Sequence, residues 1–455
     1  MPAYVFENLH YEGDWLSPAT VQVNREGMIT AVESGIQDPN APQVSGLALP
    51  GMANLHSHAF QRAMIGLTEF RSSKSSDSFW TWRERMYQVA LSMSPEALEA
   101  VAAQLYLEML LEGFTAVGEF HYLHHDLDGQ PYPSASQMSD RIFSAAQRTG
   151  IALTHLPVLY LRGGFGKPAT PEQRRFTHDQ VSDFLRLFEI LKANISDPAT
   201  QRLGVAPHSL RAVNVDDLGE LVSALSPEIP IHIHIAEQIK EVQEAEAFLG
   251  ARPVQWLFNN FDVDSRWCLV HATHLDAAEV SLLAQSDAVA GLCPTTEANL
   301  GDGIFPADHF LEQGGTLGIG TDSQVNVSVN DELRLLEYGQ RLKHWQRNVL
   351  VSSEQASVGR HLFDSALRGG AQALAQPIGR IAPGLRADIV VLDLKHPRLA
   401  AQPLRSVLDA WIFGHARGAV RDVMVAGRWV IENGVHAEAE SIFQAYEKAV
   451  RQLWA

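Results

Sequence analysis

The chain is predicted to be an α/β protein: a (β/α)8 barrel of the TIM type with a smaller β domain made from both chain ends. Eight short apolar runs alternate with helix-like spacers along the middle of the sequence. Strands that alternate with helices form a parallel sheet, and eight such units close into a barrel. The two ends read instead as short strands broken by Gly and Asn. At 455 residues the chain also exceeds a single core, which stops growing near about 250–300 residues.

The N-terminal strands are carried by Thr20–Asn24 (TVQVN) and Met28–Ser34 (MITAVES). The barrel runs follow between Leu47 and Ser323: LALPGMANLHSH, FTAVGEFHY, IALTHLPVLY, RLGVAPHSL, IPIHIHIAE, WCLVHATHL, AVAGLCPTT and GTLGIGTDS. The spacers PEALEAVAAQLYLEMLLEG and DELRLLEYGQRLKHW carry apolar residues at helical spacing. The loop Arg71–Ser78 (RSSKSSDS) and the glycine-rich stretch Gly163–Lys167 follow barrel strands and are expected to cover the active face. Beyond the barrel, RADIVVLDL and VRDVMVAGRWVIENG are strand-like, and Asn433-Gly434 is a favoured hairpin turn. Neither end can bury its apolar face alone. Residues 1–48 and 378–455 are therefore paired into one domain, with a C-terminal helix, beside a barrel of residues 49–377.

Hydrophobic residues make up 46% and charged residues 19%, ordinary values for a soluble enzyme. A net charge of −18 argues against nucleic acid or an anionic membrane as partner, since both need a basic surface. An anionic small substrate would need a local basic pocket. With only Cys268 and Cys293, a disulfide scaffold and a four-cysteine zinc site are excluded. The start MPAYVFENLHYEGDW lacks a basic region followed by an apolar one, and no run of about 18 apolar residues exists. A cytoplasmic enzyme is the expectation.

Barrel enzymes place their chemistry at the C-terminal ends of the strands. His56 and His58 end the first run; two apart on a strand, they point to the same side. Alone, such a pair is weak evidence. In IHIHIAEQ, His234 lies nearer the strand's end than His232, which is expected to be a packed interior histidine. Glu237 follows just past that strand, His271 ends the sixth run, and Asp322 ends the eighth beside a flexible Gly-Thr step. Each residue singly has a bland reading, as a satisfied core histidine or a loop-capping aspartate. Their common position at strand ends favours one metal held by His56, His58, His234 and Asp322. Three neutral imidazoles and a carboxylate suit zinc, one ion per chain, although iron or manganese could use the same ligands. A fifth position stays open for water, whose pKa falls to about 7 in favourable sites. Rival motifs fail: no His-Glu-x-x-His, Walker loop or G-x-S-x-G occurs. His436-Ala437-Glu438 lacks a following Pro-Cys-x-x-Cys, so His436 reads as surface loop.

The segments PGMANLHSHAFQRAM, HIHIAEQ, CLVHATHL, IGTDS and IGRIAPGLRADIVVLDL resemble the amidohydrolase superfamily over essentially the whole chain. No lysine ends the fourth run, in keeping with the deaminase branch, which uses one metal and no bridging carboxylated lysine. The resemblance implies a barrel flanked by a β-sandwich formed from both termini, and a homodimer is compatible with it. FWTWRERMY (Phe79–Tyr87), EFHYLHH (Glu119–His125) and APHSLRAV (Ala206–Val213) are similar in particular to the formimidoylglutamate deiminase family. Those enzymes serve histidine degradation, and their substrate bears an amidine and two carboxylates. By this resemblance Arg83, Tyr122 and Arg211 bind carboxylate, and Gln61 and His208 line the pocket. An arginine fork independently matches a carboxylate in two-point geometry. For Arg83 the bland reading is a solvated helix charge beside Glu84 and Arg85, whereas Arg211 sits just beyond a strand end.

The reaction so implied is N-formimidoyl-L-glutamate plus water giving N-formyl-L-glutamate and ammonia. Glu237 is expected to move a proton from water to the imine nitrogen. His271 is expected to hydrogen-bond the attacking oxygen, and Asp322, besides ligating, to accept a proton as ammonia leaves. Other readings stay open. A guanine-type nucleobase deaminase would need an aromatic slot rather than an arginine pair. A non-catalytic metal-binding protein would leave Glu237 without a role.

Overall fold

The computed structural model describes residues 2–70 and 79–454. The loop Arg71–Ser78, expected over the active face, lies outside the described residues. The first strands are β1 (Ala3–Tyr11), β2 (Asp14–Leu16), β3 (Ala19–Val23), β4 (Ile29–Ser34) and β5 (Gln43–Pro50). The barrel strands are β6 (Met52–Ser57), β7 (Phe114–His121), β8 (Ala152–Leu159), β9 (Gln201–Leu203), β10 (Ala206–Pro207), β11 (Ile231–Ile235), β12 (Trp267–His271), β13 (Val289–Leu292) and β14 (Thr316–Ile319). The chain then returns through β15 (Ile389–Leu392), β16 (Val420–Val425) and β17 (Arg428–Ile431).

The barrel strands form two parallel sheets, β10-β8-β7-β6, with β9 also on β8, and β11-β12-β13-β14. Single bridges join them at both seams. Val205 pairs with Ile231 and Ser209 with His234 at one seam, and Ser57 pairs with Asp322 at the other. At the second seam the Asp322 N–H donates to the His56 carbonyl at 3.0 Å and the His58 N–H to the Asp322 carbonyl at 3.2 Å. The fourth apolar run is thus two short strands rather than one, interrupted at Gly204. Inside the ring, Leu55 fills space left by Gly291 and Gly318, where a Cβ would come within 2.9 and 2.4 Å of it.

Both chain ends meet in one sheet of order β17-β16-β15-β5-β1-β3-β4, with β2 paired to β1. Successive residues of its central strands serve different cores. Ala48, Ile389, Val391 and Met424 join Phe6 and Val21 in a small core, while Leu47, Leu49, Val390 and Leu392 belong to the barrel's own. This is the period-two alternation of strands buried on both faces. The sheet curls over the small core: Met28 bridges Arg386, and the rings of Tyr4 on β1 and Trp429 on β17 meet at 5.8 Å. The sandwich expected from both termini is therefore one continuous sheet folded on itself.

At the C-terminal end the turn expected at Asn433-Gly434 forms, but the strand-like run before it is divided and His436 departs from the sequence reading. The β16–β17 hairpin turns on Ala426-Gly427, and Asn433-Gly434 makes the next turn, closed by Glu432 and Val435. His436 is not in a surface loop; it is buried, with Nε2 3.1 Å from the Thr149 carbonyl. That carbonyl ends the barrel helix Gln137–Thr149, where His436 caps an otherwise unpaired acceptor. The C-terminal helix Ala439–Leu453 packs on the barrel, with the Arg62 guanidinium donating to the Tyr446 hydroxyl at 3.0 Å. Among the described residues no helix is long and apolar enough to cross a membrane.

Candidate active site and metal centre

Four ligand atoms, from His56, His58, His234 and Asp322, converge at the C-terminal mouth of the barrel within 4.8 Å of one another. His56 Nε2 lies 3.1 Å from His58 Nε2 and 3.0 Å from His234 Nε2. Asp322 Oδ1 lies 3.3 Å from His56 Nε2 and 3.2 Å from His58 Nε2. The outer ring nitrogens explain why these atoms tolerate such crowding. His58 Nδ1 is 2.9 Å from the Phe120 carbonyl and His234 Nδ1 is 3.1 Å from the His208 carbonyl. A carbonyl only accepts, so each Nδ1 donates its proton and each Nε2 presents a lone pair inward. Lone pairs and a carboxylate oxygen facing one another repel unless a cation lies between them. Donors on a tetrahedral ion at about 2.0–2.1 Å stand about 3.3 Å apart, close to the spacing seen. The residues fit a metal.

The strand ends are bent to make this mouth. Ala236, His271, Ala272 and Asp322 have positive φ of 52°, 68°, 47° and 46° where β11, β12 and β14 finish. A side chain held there costs about 1–3 kcal/mol, a strain that accumulates at functional sites. His232, by contrast, is a packed interior histidine as expected, wholly buried with Nε2 2.8 Å from the Ala373 carbonyl.

Beside the ligands lies a cavity of about 180 Å³ that holds every sequence-predicted pocket residue: Gln61, Arg83, Tyr122, His208 and Arg211, together with Glu237 and His271. Glu237 Oε1 is 3.9 Å from His271 Nε2, and Asp322 Oδ2 is 3.9 Å from the same nitrogen. Burial pushes the Glu237 carboxyl up to about 7, although His271 and Arg211 oppose the rise. Burial works against a charged His271, but Glu237, Glu297 and Asp322 outweigh it and raise it to about 10. At neutral pH His271 thus keeps its proton while Glu237 can take one up or release it. Burial and the nearby Arg211 keep the His208 ring neutral. The Gln61 amide donates to the Tyr122 hydroxyl at 3.1 Å, leaving its buried oxygen without a partner. Arg211 Nε is likewise buried without a hydrogen-bond partner. Burial disfavours that guanidinium's charge, yet Glu241 and Glu237 hold it protonated.

The helix Phe79–Ser92 brings Arg83 to the cavity with its guanidinium 4.4 Å from the Trp80 ring centroid, while Arg85 turns to Gln88 Oε1 at 3.0 Å. Gly163, Gly164 and Lys167 of the glycine-rich stretch also line the cavity, as its position predicted. Sequence reasoning missed Tyr160, Trp80, Lys240 and Glu297. Tyr160 closes the run IALTHLPVLY, and the strand-end rule that selected the histidines would have found it. Trp80 and Lys240 come from helices, whose inward face no strand periodicity reveals. Lys240 Nζ sits 4.2 Å from the centroid of the same Trp80 ring that Arg83 meets.

Comparison with known proteins agrees with this geometry. Residues 47–430 match the amidohydrolase family. A formimidoylglutamate deiminase of Pseudomonas aeruginosa is 51% identical over 440 residues, covering 96% of each chain. The crystal structure of an amidohydrolase from Brucella melitensis superimposes with a TM-score of 0.94 at 47% identity over the whole of both chains. An adenosine deaminase from Xanthomonas campestris, crystallised with bound zinc, shares the fold at a TM-score of 0.80 and 22% identity, covering 99% of this chain and 97% of its own. With a barrel, a histidine–aspartate metal centre and a family match that spans most of its length, the chain belongs to the amidohydrolase family.

Proposed function

We propose that this chain hydrolyses the C–N bond of N-formimidoyl-L-glutamate, giving N-formyl-L-glutamate and ammonia. The single observation that carries the substrate class is Arg211, a charged guanidinium with a buried, unpartnered Nε beside the metal ligands. Its buried Nε–H needs an acceptor, and a carboxylate of the substrate supplies one of complementary charge. Arg83 supplies a second cation to the same cavity, which suits a dicarboxylate. The 51% identical relative bears the name of that activity.

Zinc is the ion proposed for His56, His58, His234 and Asp322, one per chain. Bound there, it supplies the nucleophile by lowering the pKa of water to about 7. The rest belongs to the chain. Arg83 and Arg211 fix the carboxylates, with Tyr122 and His208 beside them, and the free Gln61 oxygen accepts an N–H of the substrate. Glu237, poised near 7, takes a proton from the attacking water and delivers it to the imine nitrogen. His271 donates from Nε2 to the oxygen that adds to the amidine carbon. The substrate enters as the amidinium, so the proton from Glu237 makes its nitrogen a leaving ammonium, and Asp322 Oδ2, 3.9 Å from His271 Nε2, takes up the remaining hydroxyl proton as ammonia departs.

Arg211→Met tests the reading, since it removes the charge and keeps the stem. A charge-assisted hydrogen bond contributes about 1.5–3 kcal/mol, so kcat/KM for formimidoylglutamate should fall about 10- to 150-fold with metal still bound. A neutral amidine should be a poor substrate for both proteins and unaffected by the change. Preference of the wild type for guanine over formimidoylglutamate would replace this substrate by a nucleobase.

A further inference from the structure

Glu297 lies outside every role assigned above, yet it is 5% exposed and bonded to the imidazole that faces the reaction. It sits on the helix Pro294–Leu300, which starts directly behind β13. Its Oε1 accepts the Cys293 backbone N–H at 2.8 Å and lies 3.3 Å from His271 Nδ1. We propose that Glu297 is a positioning residue for the reaction: its carboxylate holds the His271 proton on Nδ1 and aims Nε2 at the reacting atoms. This rests on the hydrolytic reading of the site.

The geometry leaves His271 little else to orient it. Its backbone stands at φ 68°, at the very end of β12. One face of the ring stacks on His234 at 5.6 Å and 11° between planes. Stacking fixes the plane of the ring but not its rotation within that plane, nor which nitrogen carries the proton. A carboxylate can only accept, so Glu297 decides both: Nδ1 must donate, and Nε2 points between Glu237 and Asp322, 3.9 Å from each. With Nδ1–H bonded behind the ring, the Nε2–H of the imidazolium is the donor that faces an oxygen gaining negative charge. The carboxylate is itself fixed, because the Cys293 N–H holds the same oxygen.

His271, Cys293 and Glu297 also place ligand atoms within 4.8 Å of one another, as a second metal site would. The experiment separates the two roles.

Glu297→Gln keeps the shape and an acceptor oxygen for Cys293 but removes the charge. It is compared with wild type, His271→Asn and the double variant for kcat, KM, bound metal and melting temperature. Supporting partners of this kind typically matter about 10- to 100-fold. The expected result is a kcat lower by that factor at unchanged KM, with one metal equivalent retained. In the His271→Asn background the same change should cost nothing further, since a residue acting through His271 has nothing left to orient. An equal loss of kcat in both backgrounds would overturn the proposal, as would loss of a metal equivalent in Glu297→Gln, which would make Glu297 a ligand. The cycle is run on whichever of formimidoylglutamate, guanine or a neutral amidine the wild type turns over. Failure of the substrate reading then shows in the wild type, and failure of this one only in the variants.

Discussion

Glu237 and His155 show how burial gives a titratable residue opposite meanings. Glu237 is buried beside metal ligands, with a carboxyl lifted to about 7, which suits a group that must take and return a proton at neutral pH. Glu237→Gln should retain the metal and lower kcat by about 10²–10⁴-fold, as metal analysis and steady-state rates would show. Retained turnover, or a stripped metal, would remove the shuttle role. His155 on β8 is wholly buried with neither ring nitrogen hydrogen-bonded, packed between Phe143 and His121. Burial and then His121 drive its pKa well below 6.5. The folded state therefore binds fewer protons than the unfolded chain once pH drops below 6.5, so stability falls with pH there. His155→Leu removes that penalty. The variant should be more stable by about 1–3 kcal/mol from the relieved polar group, with the advantage growing as pH falls below 6.5. Denaturant midpoints on either side of that pH would check it, and a gain that shrinks on acidification would refute the account.

At the scale of elements, one arginine ties the helix that carries Arg83 to the barrel. Arg175 is fully buried and bonds backbone carbonyls on separate segments: Ala90, Met93 at 2.8 Å and His125 at 2.9 Å. The acceptors at Ala90 and Met93 lie at the C-terminal end of the helix Phe79–Ser92, where helix carbonyls lack partners. A guanidinium there satisfies several at once and complements the helix dipole. Arg175→Met would leave those carbonyls buried and unpaired. Each charged hydrogen bond contributes about 1.5–3 kcal/mol, so the urea midpoint should drop clearly. Because the same helix carries Arg83, KM for formimidoylglutamate should rise with kcat less affected. An unchanged KM in a destabilised variant would mean that Arg83 is held by other contacts.

At the scale of the whole molecule, the chain ends and the barrel are locked together from the side opposite the metal. Arg386 pairs with Asp388 at 2.7 Å on the terminal sheet and reaches the Ala199 carbonyl of the barrel at 2.9 Å. At one of the two seams between the barrel sheets a single bridge joins Ser57 to Asp322, flanked by His56 and His58. An ion held by the four ligands would add a tie across that seam. Chelator-treated protein should melt at lower temperature, and one equivalent of zinc should restore it. A ligand at about 1,000 times its Kd adds about 4 kcal/mol. A requirement for two equivalents, or no change in melting, would contradict a single structural and catalytic ion.

What the sequence determined by itself follows from short-range periodicity. The alternation in LHSH and IHIH puts side chains on one face, and the strand-end position of His56, His58, His234, His271 and Asp322 was legible because an apolar run shows where it stops. The resemblance carried by longer segments added Gln61, Arg83, Tyr122, His208 and Arg211. Only the tertiary structure decided the rest. Helix Phe79–Ser92 could present either Arg83 or Arg85, and docking against the barrel turned Arg83 inward over Trp80. Nothing in CPTTEANL marks Glu297 as the partner of a histidine 26 residues earlier. His436, polar and near a Gly-containing turn, has the local composition of a loop, yet it is buried because it caps the carbonyl of Thr149, 287 residues away. The last two each pair an acceptor on one element with a donor on another, and local sequence pattern carries no trace of a partner that only folding brings near.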